Sequence, residues 1–381
     1  MKARILLLVL VAFVAACGSK KKSVREPAKL VDISNPAVRP HTDWTASAGD
    51  GADGKVSGFR LRVEADAIYA ADIEGHVYAF SRTDGRKLWS VETKSRLVGG
   101  PSVSGDLVLV GSLNAEVIAL RRADGTERWR TALSSEVVSP PVGDGGTVVA
   151  RSLDGRIYGL SAGTGDRVWT FDRQVPNLVL RGSSAPLVAG NSAIVGMDNG
   201  RIASLRLADG QPQWEQAVSV PSGRTELERL TDVDADLIDG PDCLFAASFG
   251  GDVACLDLSS GEVMWRRSVK SYTGMAMSDD KLFVTDESGV VWGLDQKSGT
   301  AAWKQEAMLY RKLSPPAYFG GYVVVGDYEG YLHWMDPSTG QLVGRSRAGS
   351  EPIMAPLVAS ADQLYVMNVD GRIAAIGLKK K

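Results

Sequence analysis

Cysteine is scarce in this chain: Cys17, Cys243 and Cys255 are the only three among 381 residues, too few for a scaffold held by disulfides or zinc. Histidine is equally scarce, and His41, His76 and His333 stand in unrelated contexts without metal-ligand spacing. An excess of either charge is also missing. Lysine and arginine number 43 against 45 acidic residues, a formal net charge of -2, and no basic stripe runs through the body of the chain, so a nucleic-acid role has no electrostatic footprint. The apolar run at residues 5–14 falls short of the roughly 20 residues that a membrane-crossing helix needs. Neither a phosphate-cradling glycine loop nor a nucleophile elbow is present. Asp232, Asp234 and Asp236 begin like a calcium loop, but Leu237 and Cys243 occupy the positions where an EF-hand needs Gly and Glu. Metal and cofactor are therefore not expected.

What is abundant is glycine, 42 residues of it, much of it in Asp-Gly and Ser-Gly pairs that punctuate turns. A hydrophobic content of 44% with 23% charged residues suffices for a large folded core. The N-terminus has its own grammar: Lys2 and Arg4, the apolar run, then small residues to Ala16, which is the pattern of a secretory signal peptide over residues 1–16. The following Val14-Ala15-Ala16-Cys17-Gly18 resembles the lipobox of bacterial lipoproteins, which implies cleavage before Cys17 and lipidation of that residue. Gly18, where an inner-membrane lipoprotein carries Asp, implies delivery to the outer membrane. Residues 17–40, polar and proline-bearing, read as a flexible lipidated tether, leaving residues 41–381 as one domain.

A repeat organises that domain. From Gly75 the chain reads Gly-His-Val-Tyr-Ala-Phe80, then Gly85, then Trp89, and the frame returns at Ala115, Gly155, Gly200, Gly251, Gly289, Gly330 and Gly371. The steps are 40, 40, 45, 51, 38, 41 and 41 residues. Within each copy β-branched and aromatic residues alternate with polar ones, and a second apolar stretch precedes each opening residue; both are strand signals. About four short strands per 40 residues is the length of one propeller blade. The expected fold is all-β, an eight-bladed propeller of four-stranded antiparallel blades.

The ends of the pattern are complementary. The copy at Gly371 stops before its Gly-xxx-Trp strand, while Trp44 stands alone one repeat upstream of Trp89. The strand around Trp44 is therefore predicted to complete the blade containing Gly371 and so close the ring. The tryptophans, fixed in distance from a turn glycine, are expected to pack blade on blade and not to stack a ligand. This frame resembles the tryptophan-docking repeat of quinoprotein propellers, most fully at Asp257, Ser260-Gly261 and Trp265, and at Asp295, Ser298-Gly299 and Trp303. Quinoprotein enzymes often carry adjacent cysteines under the quinone, and this chain has none. Aligning Gly251 with its turn puts Cys243 and Cys255 on opposite hairpin faces, so they are expected as buried thiols without a disulfide.

Two steps are long, and both interruptions fall in links between neighbouring blades, residues 174–186 and 221–234. Such links open on one face of the ring, so the two insertions are expected side by side. With the lipobox, the eight repeats and the run Gly326-Asp-Tyr-Glu-Gly-Tyr-Leu-His-Trp334, they make the chain resemble the BamB (YfgL) family, propeller lipoproteins of the outer-membrane β-barrel assembly machine. The resemblance implies a non-catalytic scaffold in the outer membrane, facing the periplasm, that binds the periplasmic domains of BamA. Leu178, Leu180, Arg181, Asp232 and Asp234 match the family's contact stretches; other subunits of the machine and unfolded outer-membrane proteins are further candidate partners. The competing expectation is a periplasmic quinoprotein-type enzyme or another ligand-binding propeller using the central channel.

Overall fold

The computed structural model describes residues 25–53, 58–173, 184–219, 231–271 and 273–379, which form strands and turns without a helix. They build eight sheets arranged as the blades of a propeller. Blades 1 to 7 follow the chain in order, each adding its four strands sequentially. Blade 3, for example, runs Val142–Gly143, Thr147–Arg151, Ile157–Ser161 and Arg167–Phe171. The first strands of neighbouring blades touch one another, so these line the central channel and the fourth strands form the rim. The second and third strands are apolar on both faces, because each blade is covered on both sides by its neighbours: Leu107–Ser112 is buried throughout, and so are Val323 to Gly326.

Blade 8 closes the ring as expected. Pro40–Ser47 pairs antiparallel with Arg372–Leu378, Trp44 lying opposite Ala375, and becomes the outer strand of the blade whose inner strands are Val358–Ala359 and Leu364–Met367. The strand nearest the N-terminus thereby covers the strand nearest the C-terminus, and the ring is left without a seam of unpaired inner edges.

The tryptophans join the blades by one repeated contact. Trp44, Trp89, Trp129, Trp169, Trp214, Trp265 and Trp303 each lay the indole on a turn glycine of the next blade: Gly85, Gly125, Gly165, Gly210, Gly261, Gly299 and Gly340. Each Nε1–H donates to the carbonyl three residues before that glycine, as Trp129 does to Ala162 O at 2.8 Å and Trp303 to Pro337 O at 2.8 Å. At Gly125 a Cβ would lie 2.7 Å from Trp89 Cε3, and the backbone there has φ +75°, so no other residue fits. The joint between blades 7 and 8 lacks both partners. Gly344 stands where the tryptophan would be, and Val38 from the N-terminal segment fills that place, 2.3 Å from where a Cβ at position 344 would sit. Trp334 packs beneath it, fully buried against Phe319 and Tyr322.

The segment 25–39 is laid along the ring, although the sequence groups it with the tether. Ala28 N–H donates to Leu309 O (2.8 Å), Arg311 Nη1 to Ala28 O (2.9 Å), Arg345 Nη2 to Val31 O (2.8 Å) and Ala37 N–H to Val343 O (2.8 Å).

One expectation is corrected. Cys243 and Cys255 form a disulfide, with Cα atoms 5.6 Å apart. In the ladder Phe245 lies opposite Cys255 and Leu244 opposite Leu256. Cys243, two residues before Phe245, therefore shares a face with Cys255 and meets it diagonally. The sequence alignment of this turn was out by one residue, and with a side-chain period of two a one-residue slip reverses the face.

Candidate partner-binding face

The chain leaves each rim strand, crosses the top of the ring and enters the next blade at the channel. The turns between second and third strands open on the same face, so this crossover face concentrates whatever departs from the repeat. These turns share a cap that the sequence pattern conceals. Three residues before the frame opens stand Asp72, Ser112, Ser152, Ser248, Asp286, Asp327 and Asn368. In six of them a side-chain oxygen accepts the amide one residue past the opening position, for example His76 N–H to Asp72 Oδ1 at 2.9 Å and Arg372 N–H to Asn368 Oδ1 at 2.8 Å.

Blade 4 breaks this rule. Met197 occupies the cap position, and the carboxylate falls one residue later, at Asp198. Asp198 turns to Arg151 of blade 3, and both are buried in a direct ion pair. Asp234, on the link from blade 4 to blade 5, belongs to the same cluster. Its burial pushes its carboxyl up to about 6; the Arg151 charge works against that shift and the Asp198 carboxylate adds to it. Among the described residues Asp234 Oδ1 finds no hydrogen-bond partner.

Asp232 acts through its backbone. It is fully buried, and its carbonyl accepts Phe249 N–H (2.8 Å) while the next residue, Val233, donates its amide to Met197 O (3.2 Å). The stretch from Asp232 to Val233 is thus stitched between the turns of blades 4 and 5, and Asp232 serves to hold the link in place. Asp236 pairs with Arg60 and accepts Ala185 N–H at Oδ1 (2.8 Å). Arg60 follows Gly58–Phe59, which pairs in parallel with Gly99 and Gly100 on the first strand of blade 2. The Arg60–Asp236 pair therefore joins the blade 2 side of the channel mouth to the entry of blade 5.

The described ends of the two insertions lie together: Ser184 Oγ donates to Val233 O (2.9 Å) beside the Ala185–Asp236 bond. Of the residues singled out in the sequence, Asp232 and Asp234 are thus placed on this face, while Leu178, Leu180, Arg181 and Cys17 lie outside the described residues. Sequence reasoning missed Arg151, Asp198 and Arg60, and weighed Asp236 only within the rejected calcium loop. One signal was available for the first of them. Four residues before the frame opens stand Ala71, Gly111, Gly196, Ala247, Thr285, Gly326 or Met367 in the other blades, and only blade 3 puts a charge there.

Eight blades, joined at seven of their eight seams by a docked tryptophan, define a tryptophan-docked β-propeller. The family model described as "Outer membrane protein assembly factor BamB" matches residues 74–305. The assembly factor BamB of Alkalilimnicola ehrlichii is 47% identical over 97% of this chain and 96% of its own length, and that of Pseudomonas aeruginosa 43% identical over 98% of each. The crystal structure of BamB from Moraxella catarrhalis superimposes with a TM-score of 0.82 at 25% identity, covering 89% of this chain and all of that one. The chain belongs to the BamB family of outer-membrane protein assembly factors. Its role is non-catalytic.

Proposed function

We propose that this chain assists assembly of β-barrel proteins in the outer membrane by presenting its crossover face, at blades 3 to 5, to the periplasmic domains of BamA, with its N-terminus lipid-anchored through Cys17. The observation that carries this reading is the cluster around Asp234. A carboxylate kept in a buried setting that raises it to about 6 gains nothing for the fold, and such groups concentrate where a partner or substrate uses them. Leu178, Leu180 and Arg181 belong to the neighbouring insertion, whose described end is bonded to the Asp232–Asp236 stretch. Two leucines, an arginine and a carboxylate make a small mixed patch of the sort that anchors an interface. Asp232 contributes from beneath by fixing the link. The disulfide supports the export signal, since such bonds persist in oxidising compartments such as the periplasm.

The test is capture of purified BamA periplasmic domains by the protein and by Arg181→Glu, Leu180→Ala and Asp234→Ala. Reduced capture by all three with unchanged circular dichroism is expected. Wild-type capture by all three would move the interface to another part of the ring. The anchor is tested separately: the wild-type chain should carry acyl mass on Cys17 and float with membranes, and Cys17→Ala should lose both.

A further inference from the structure

The seven tryptophan joints leave one seam without a tryptophan, and the residues that fill it come from the N-terminal segment. We propose that residues 25–39 are a docked strap which fixes where the anchored end leaves the ring, so that the crossover face at blades 6 and 7 is held toward the lipid surface. The proposal rests on the reading of Cys17 as the lipidated residue.

Four observations on the strap agree. Val38, 5% exposed, takes the volume above Gly344 that a tryptophan fills in other blades. Further up the rim, Ala37 and Val31 are held by Val343 and Arg345 of the outer strand Leu342–Arg347. At the crossover face, Ala28 is gripped on both its amide and its carbonyl, by Leu309 O and Arg311 Nη1, and the Arg25 guanidinium lies 5.4 Å over the Tyr310 ring. Arg311 is itself immobilised. It is buried, pairs with Asp327 at 2.7 Å and with Glu329, and lies over Tyr328, while His333 Nε2 contacts the same Asp327 oxygen at 2.8 Å. The Asp327-to-His333 run thus builds the clamp that holds the strap.

The geometry limits the leash. Residues 309–311 belong to the link between blades 6 and 7, which opens on the crossover face, so the strap delivers Arg25 there. From Cys17 to Arg25 there are eight peptide steps, at most roughly 28 Å of chain in any conformation. The leash starts at the crossover face, so that face is the one it brings nearest the lipid, whereas bringing the opposite face, about 17 Å further off, to the membrane requires most of the leash to be drawn out. The strap also bears adjacent exposed apolar side chains, Leu30 and Val31, at 36% and 44% exposure, which a lipid interface would cover.

The test uses the full-length lipidated protein in vesicles of phosphatidylethanolamine and phosphatidylglycerol doped with an acceptor-labelled lipid. With Cys17 acylated and Cys243 bonded to Cys255, a fluorophore can be placed on Glu287→Cys, an exposed turn on the crossover face, or on Ser338→Cys, an exposed turn on the opposite face. The faces are separated by strands of five residues, about 17 Å, so transfer to the membrane should be at least roughly twofold stronger from position 287. Two variants should erase that difference: Gly344→Ala, whose Cβ expels Val38, and insertion of a long Gly/Ser linker between Val24 and Arg25 with the fold untouched. Equal transfer from both faces, stronger transfer from 338, or an unchanged difference in the linker variant overturns the proposal. Protein that does not float with the vesicles overturns it as well, and absence of acyl mass on Cys17 then traces the failure to the anchor and not to the strap.

Discussion

Asp234 is held where its ionised form works against the stability of the fold. Its carboxyl is raised to about 6 by burial and by Asp198, against the pull of Arg151. Between the ordinary carboxylate range and about 6 the folded chain holds a proton that the unfolded chain has released. Stability attributable to this group is therefore greatest at low pH, falls as pH rises through that window, and is flat above it. Asp234→Asn should consequently stabilise the protein at pH 7.5, by on the order of 2 kcal/mol, with the gain shrinking below pH 6 and gone near pH 4. Denaturant melts of both proteins at three pH values check this. A variant that gains stability at neutral pH while losing BamA capture would identify Asp234 as kept for binding. The blade 7 network has the opposite sign. Burial lowers the His333 imidazole, and Asp327 only partly offsets that. Burial alone would raise the Asp327 carboxyl, but His333, the Tyr331 amide and Arg311 hold it below the usual range. Both contributions are present at neutral pH and are lost on acidification: His333 begins to lose its share below its ordinary value of 6.5 and so opposes Asp234 there, whereas Asp327 loses its share only as pH falls below the ordinary carboxylate range. Subtracting the pH profile of Asp234→Asn from that of the wild type separates the two.

Among elements, the hairpin of blade 5 is the one with a covalent tie. Cys243 and Cys255 are separated by 12 positions in sequence, and closing a loop of this size is worth about 2–3 kcal/mol through the unfolded chain. The double variant Cys243→Ser/Cys255→Ser should lose about that much in a urea melt, and the unreduced wild type should show no thiol reactive with Ellman's reagent after unfolding once Cys17 is acylated. Reactive thiols from positions 243 and 255 would refute the bond. The tryptophan joints give a sharper contrast. Trp129→Ala removes an 8% exposed indole together with its hydrogen bond to Ala162, a cavity of the kind that costs about 3–5 kcal/mol. Gly165→Ala should be nearly as damaging without removing an atom, because its Cβ would lie 2.7 Å from Trp129 and the backbone has φ +77°.

For the molecule as a whole, stability depends on joining the two ends. Deletion of residues 1–47 removes the outer strand of blade 8, opens Arg372–Leu378 along its length, and takes Trp44 from Gly85 of blade 1. Several kcal/mol of lost stability and a gain in aggregation are expected. Deletion of residues 1–24 leaves strap and closing strand in place and should leave the melting temperature unchanged. Equal midpoints for the two truncations, measured by calorimetry, would contradict closure.

Periodicity was enough to determine the ring. Eight frames in register, each with strand alternation and a turn glycine, admit no other common fold, and the unmatched Trp44 told how it closes, because a strand missing at one end and spare at the other has one place to go. The sequence also located the two insertions, since an interruption shows against a regular repeat. Tertiary structure alone decided what crosses between repeats. Arg151, Asp198 and Asp234 lie on three different segments, and Arg60 and Asp236 are 176 residues apart, so no local pattern links them. The pairing of Cys243 with Cys255 hinged on a register that a single turn residue can shift. The placement of residues 25–39 depended on a vacancy at Gly344, 300 residues away, which a polar, proline-bearing stretch fills by shape and backbone hydrogen bonds. Periodic burial is written locally and repeats, whereas charge pairs and docked segments are set by distances between blades that exist only once the ring has formed.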